Sequence, residues 1–389
     1  MKYSFKKINI ESPFPTTQCG HSCQTNELFK YHDHLFARVT AFNDGTNWII
    51  HFSMDLLAFD LAHRNELQEK LREFYKDDSI HVITSTTHTH YANSVRNPKY
   101  VEYLSKLLYE ETINMNYQEI DNIKTTYQKI HSNAVGKSRI SHYDTGHEYL
   151  GLIRFYSNDV NFLNIIYYNC HPTILDANVP YFSAEYPGYV LKKLEDLCPN
   201  TNFTFFQGAA GDISSRFVRD GQNYEALEKL GNNLLKEIND LMKENLPKIP
   251  FMINYKEVEL EYKHEFTPID LSNMRQDLTD REKETIRIGQ EERAKIEKKA
   301  NLIFGKPIDK VIVTSLDIGT VKFIFYPNEI FTEYMNSIDL DKELLVSYSN
   351  GYGPYILPID FPYITYEMFM DTLTRETKEN IKKVLSTIE

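Results

Sequence analysis

Apolar runs rich in β-branched and aromatic residues alternate with helical patterns along almost the whole of this chain, and that alternation restricts its fold more than any other feature. The strand-like runs are Leu35–Phe42, Trp48–Ser53, Ile80–Ser85, Leu150–Phe155, Phe162–Tyr168 and Phe203–Phe206, followed by Phe251–Tyr262, Val311–Leu316, Val321–Tyr326 and Leu344–Tyr348. Helical spacing marks Asp60–Tyr75, Lys99–Met115, Tyr186–Leu197, Tyr224–Met242, Thr279–Asn301 and Tyr366–Ile388. Strands and helices interleaved in this way predict an α/β fold with a large mixed β-sheet core flanked by helices. Within the fifth helical pattern, Arg281–Lys299 interleaves Glu with Arg and Lys, as a solvated helix face does. No repeat, low-complexity tract or Gly/Ser-rich linker interrupts the sequence, so a single domain over residues 1–389 is expected.

Charge excludes some partners. A net charge of −12 opposes binding to nucleic acid, which needs a dense Lys/Arg surface, and to anionic membranes. No stretch approaches the roughly 18 apolar residues of a membrane-spanning helix, so no stable membrane insertion is expected. The N-terminal MKYSFKKINIESPFPTTQ has basic residues but no apolar core of a signal peptide. Cys19, Cys23, Cys170 and Cys198 are too few for a disulfide scaffold at this length. These features together give a cytoplasmic protein with reduced thiols. Cys19-Gly20-His21-Ser22-Cys23 has no standard zinc-knuckle spacing and reads as a buried or incidental thiol pair.

Chemistry concentrates where strands end. The first such place is His81-Val-Ile-Thr-Ser-Thr-Thr-His88-Thr-His90, an apolar strand running into Thr-His-Thr-His. In an extended chain His88 and His90 point to one side, which suits two ligands of one metal, or one ligand beside a proton-transfer group. A second strand ends in Asn169-Cys170-His171-Pro172-Thr173, where Pro172 biases His171 toward extended backbone. A third leads into Gln207-Gly208-Ala209-Ala210-Gly211-Asp212-Ile213-Ser214-Ser215. There Ser214 could act on a carbonyl among backbone amides offered to an anion, or simply cap a helix at a tight connection. Pro327-Asn328-Glu329 puts a carboxylate at a strand end, and Ser349-Asn350-Gly351-Tyr352-Gly353 a glycine-flanked tyrosine at another. A carboxylate beside two histidines is a common zinc set.

In this order the segments resemble the neutral/alkaline ceramidase family, zinc amidases that split ceramide. Thr87-His88-Thr89-His90 is similar to the family's Gly-Thr-His-Thr-His-Ser-Gly-Pro, and His171-Pro172-Thr173 to its second ligand histidine. Gly211-Asp212-Ile213-Ser214 resembles the amidase box, Pro327-Asn328-Glu329 the Pro-Gly-Glu ligand segment, and Ser349-Asn350-Gly351-Tyr352 the Ser-Asn-Thr-Tyr segment. His32-Asp33-His34-Leu35-Phe36-Ala37-Arg38 and Ser183-Ala184-Glu185-Tyr186-Pro187-Gly188 are similar to family segments outside the site. The resemblance spans residues 30 to 360. It implies a ceramidase-like catalytic domain without the immunoglobulin-like C-terminal domain of the long forms. It also implies one zinc per chain on His88, His171, Glu329 and Tyr352, with Ser214, His90 and Tyr352 in catalysis.

Departures from the family fall around the site. Tyr91-Ala92-Asn93 replaces Ser-Gly-Pro, Ala209 replaces the box's Asn, and Ser215-Arg216 replaces Pro-Asn, with Arg216 available to a surface ion pair or to an acidic group of the substrate. The expected activity is therefore ceramidase-like, zinc-dependent hydrolysis of an N-acyl amide in a small-molecule or lipid-like substrate that need not be ceramide. The alternatives are an ester hydrolase on the same machinery, or a metal-containing binding protein without turnover.

Overall fold

The computed structural model describes residues 1–21, 25–303 and 308–388 and shows a mixed α/β architecture. Cys23 lies outside the described residues; Cys19, Cys170 and Cys198 are free thiols.

Three larger sheets carry the core. In the first, strand Ile80–Thr86 runs parallel to Trp48–Met54, which pairs antiparallel with Phe36–Asn43 and through it with Lys2–Asn9. In the second, Asn202–Gln207 runs parallel to Val160–Tyr168, followed antiparallel by Tyr149–Ser157 and Ile123–His131. The third orders Asn254–Lys263, Ile308–Asp317, Lys322–Phe325 and Glu343–Val346, the last pair parallel. Ile49 and Ile83 of the first, Ile153, Phe155 and Phe206 of the second, and Phe323, Phe325 and Val346 of the third share one apolar cluster. Single β-bridges Ser85–Ser349 and Gly208–Val346 tie the sheets together where those strands end, and so bring their terminal loops to one place.

Helices cover the outer faces. Helix Leu61–Tyr75 lies on strand Ile80–Thr86, where buried Arg64 donates from Nε to the Val82 carbonyl at 2.7 Å and Gln68 accepts from Val82 N at 2.9 Å. Helix Tyr224–Lys243 begins at Asn223, whose side chain accepts from Ala226 N at 2.9 Å. Its Leu227, Leu230, Leu234, Ile238 and Leu241, at helical spacing, bury one stripe against Val190, Leu191 and Leu194 of helix Glu185–Leu197. Among the described residues, no helix is long and apolar enough to cross a membrane.

Two differences from the sequence reading have local causes. The pattern at Tyr366–Ile388 is two helices, Tyr366–Met370 and Arg375–Thr387. Between them the Asp371 carboxylate accepts from Leu357 N at 2.8 Å and Leu373 N at 3.0 Å, and the Thr374 side chain caps the second helix. Strands Lys2–Asn9 and Ile123–His131 went unread, because their mixed exposure gives no clean alternation.

Candidate metal centre

His88 follows strand Ile80–Thr86 by two residues, with φ at 61°, so the extended geometry expected for Thr-His-Thr-His gives way to a left-handed turn. The rings of His88 and His90 nevertheless converge, with centroids 5.0 Å apart at 86°. Tyr348, itself at φ 54°, stacks on His88 at 3.8 Å. Such strained backbone at adjoining strand ends persists only where its surroundings hold it. His171 follows strand Val160–Tyr168 of the second sheet by three residues and bridges to Ser214, so the two are placed together by backbone pairing.

The outer ring nitrogens fix the tautomers. His88 Nδ1 lies 2.8 Å from the Leu57 carbonyl and His171 Nδ1 lies 2.6 Å from the Ala210 carbonyl. A carbonyl only accepts, so each Nδ1 carries the proton and each Nε2 presents a lone pair inward. Both Nε2 atoms face Glu329 Oε2, at 3.4 Å from His88 and 3.0 Å from His171. Burial, and then Arg139, push His171 down to about 4. On Glu329 burial acts upward, but the two imidazoles outweigh it and hold the carboxyl well below its usual range. Burial thus favours the neutral imidazole at His171, and the neighbouring histidines favour the ionised carboxylate at Glu329.

Three lone pairs directed at one point repel unless a cation lies among them. Among the described residues, the Nε2 of His88 and both ring nitrogens of His90 are buried without a hydrogen-bond partner. One ligand atom from each of His88, His90 and His171 lies within 4.8 Å of the other two. Nitrogen and carboxylate donors in this arrangement fit a transition metal of the zinc type.

Two tyrosines close over the group. Tyr352 Oη donates to Glu329 Oε1 at 2.5 Å. Although 39% of Tyr352 is exposed, its hydroxyl is the end that enters the site. Tyr355 Oη stands 3.5 Å from His171 Nε2, a neighbour the sequence reading missed. It also missed His21, whose ring centroid lies 4.8 Å from that of His90. Gly20 permits that packing, since a Cβ there would meet His90 Cγ at 2.6 Å. Gly20 and His21, next to Cys19, therefore supply a wall for His90.

Ser214 follows its bland reading in part: its Oγ caps a short 3-10 turn, accepting from Arg216 N at 3.3 Å. It is buried yet lines a cavity of about 440 Å³ together with His90, Glu329, Tyr352 and Arg216. The amides expected to face an anion are partly spent. Gly208 N donates to Tyr168 O, Gly211 N to Ile330 O and Ile213 N to Ala210 O. Gly211 serves close approach instead, because a Cβ there would sit 2.8 Å from the Glu329 carbonyl oxygen.

The resemblance segments outside the site act as braces. Asp33 accepts from Ser183 Oγ at 2.7 Å, and Glu185 Oε1 accepts from Ile174 N at 2.5 Å and Leu175 N at 2.9 Å, just beyond His171.

No protein-family model matches this chain, and no curated protein matches it in sequence. Solved structures do. A neutral ceramidase from Pseudomonas aeruginosa superposes with a TM-score of 0.73 at 11% identity, over 99% of this chain and 73% of that one. The chain has a neutral ceramidase-like fold. A second structure, described as ceramidase complexed with C2, matches at a TM-score of 0.75 and 12% identity, over 99% of this chain and 74% of the other. At such identities the likeness is one of fold. The ceramidase-like fold brings His88, His90, His171, Ser214, Glu329 and Tyr352, all read from the sequence, to one cavity and the wall behind it.

Proposed function

We propose that this protein is a zinc-dependent hydrolase of N-acyl amides, working at the cavity beside His88, His90 and His171. The observation that carries the reading is the convergence of these imidazoles and the Glu329 carboxylate at one buried point. The ceramidase-like fold supports amide cleavage as the reaction class.

His88, His171, Glu329 and Tyr352 would hold the zinc. When bound, zinc supplies a polarised scissile carbonyl and a water acidic enough to attack near neutral pH. The chain's own groups do the rest. The carbonyls of Leu57 and Ala210 orient the two ligand rings. Tyr352 Oη fixes one oxygen of Glu329 and leaves the other facing the histidines. His90, kept neutral by burial and lining the cavity, is placed to take the proton that the attacking water gives up and pass it to the leaving amine. No histidine or carboxylate hydrogen-bonds the Ser214 hydroxyl among the described residues. Ser214 therefore acts as a donor to the developing oxyanion, since a nucleophilic serine needs a base beside it.

The test is turnover of matched amide and ester substrates by the zinc-loaded protein, before and after chelation. Amide hydrolysis that chelation removes and zinc restores supports the reading. Hydrolysis of the esters alone makes it an esterase; cleavage of neither, by folded zinc-loaded protein, removes the enzymatic claim.

A further inference from the structure

The cavity is basic in an acidic protein. Six arginines line it, Arg96, Arg139, Arg216, Arg219, Arg275 and Arg281, against the four carboxylates Glu282, Glu292, Glu329 and Glu367. The whole chain, by contrast, carries −12. Two of the arginines are neutralised within the protein: Arg139 pairs with Glu367 at 2.8 Å and Arg275 with Asp277 at 2.8 Å. The carboxylates are engaged elsewhere, Glu282 in the Thr279 helix cap and Glu292 with Lys295.

Arg96, Arg216, Arg219 and Arg281 have no carboxylate partner among the salt bridges of the described residues. Arg216 reaches only the Arg139 carbonyl, at 3.4 Å, and Arg219 the carbonyls of Thr173 and Ile174. Burial, with Arg139 and other arginines nearby, pulls Arg216 down to about 10. Guanidinium groups facing one cavity, with Arg216 and Arg219 partly desolvated, are unfavourable without an anion to share. Guanidinium also offers the paired donors that suit a carboxylate or phosphate. The position is tied to the chemistry, since Arg216 N is hydrogen-bonded to Ser214 Oγ.

We infer that the substrate carries an anionic group, a carboxylate or a phosphate, held by Arg216 with Arg96, Arg219 and Arg281 beside the acyl-amide bond. This rests on the hydrolase reading for the amide but not for the anion.

Binding separates the two claims. The zinc-loaded full chain is titrated with three uncleavable ligands in which CH2 replaces the amide nitrogen of a dodecanoyl conjugate. They differ only in ending in a carboxylate, a phosphate monoester or a primary alcohol. One of the anions should bind at least about tenfold tighter than the alcohol, and the favoured anion identifies the headgroup. Arg216→Gln should remove most of that preference. Arg281→Gln and Arg96→Gln change exposed residues, so they test the same point should Arg216→Gln fail to fold, each lowering the preference severalfold. Equal binding of alcohol and anions, or a preference untouched in all three variants, overturns the inference. An anion preference without any amide turnover would sink the hydrolase reading alone.

Discussion

Glu329 Oε2 stands 3.0 Å from His171 Nε2, two acceptor atoms brought together from strands 158 residues apart in sequence. Their approach makes chemical sense when a cation lies between them, and most of the surrounding architecture serves to hold that pair.

Ser214→Ala should lower kcat by about 10²–10³-fold, the range for loss of one oxyanion donor. The zinc content should stay at its wild-type level, because Ser214 Oγ touches no ligand atom among its described hydrogen bonds. Steady-state kinetics with elemental analysis of the same sample checks both; unchanged kcat would exclude Ser214 from the mechanism.

Gly211→Ala should weaken metal binding without touching a ligand. The new Cβ would press on the Glu329 carbonyl oxygen at 2.8 Å and on Phe331 Cδ1 at 2.8 Å, both on the segment that carries the carboxylate. Overpacking of this kind costs about 1–3 kcal/mol. Chemical denaturation and a zinc titration should both shift; a variant as stable and as tight as wild type would show that the segment yields freely.

His51 predicts a specific acid sensitivity. It is fully buried in the first sheet, 2.9 Å from Ser85 Oγ and edge-on to Phe206, and burial pushes it down to about 3. Between that value and the ordinary histidine range near 6.5, the unfolded chain binds a proton that the folded chain refuses. This residue's contribution is therefore complete above about pH 6.5 and is lost as pH falls, at about 1.4 kcal/mol per pH unit. His51→Gln should flatten the stability slope between pH 4.5 and 6 by roughly one proton. Identical slopes in wild type and variant would mean that the folded ring titrates normally.

The strand-terminal histidines were readable because an apolar run that stops at His88 or His171 announces both the strand and its edge. Glu329 was readable for the same reason, and the ceramidase-like fold followed from the order of these endings. The partners that orient the rings were not readable. Leu57 and Ala210 act through main-chain carbonyls, which any residue supplies, so nothing in their side chains marks them. Tyr355 is hidden differently, since one tyrosine among 27 carries no signal until the parallel pairing of Gly353–Ile356 with Asn328–Ile330 sets it beside Glu329. The basic cavity was the least legible, because Arg139, Arg216 and Arg281 converge from a loop, a 3-10 turn and a helix in a chain whose net charge points the other way.

The most direct test is zinc per chain by elemental analysis, for the wild type and His171→Ala, after dialysis against a weak chelator. The lone-pair convergence predicts close to one zinc in the wild type and loss of it in the folded variant. Absence of metal from both folded proteins, or its full retention in His171→Ala, would contradict the metal centre and the hydrolase built on it.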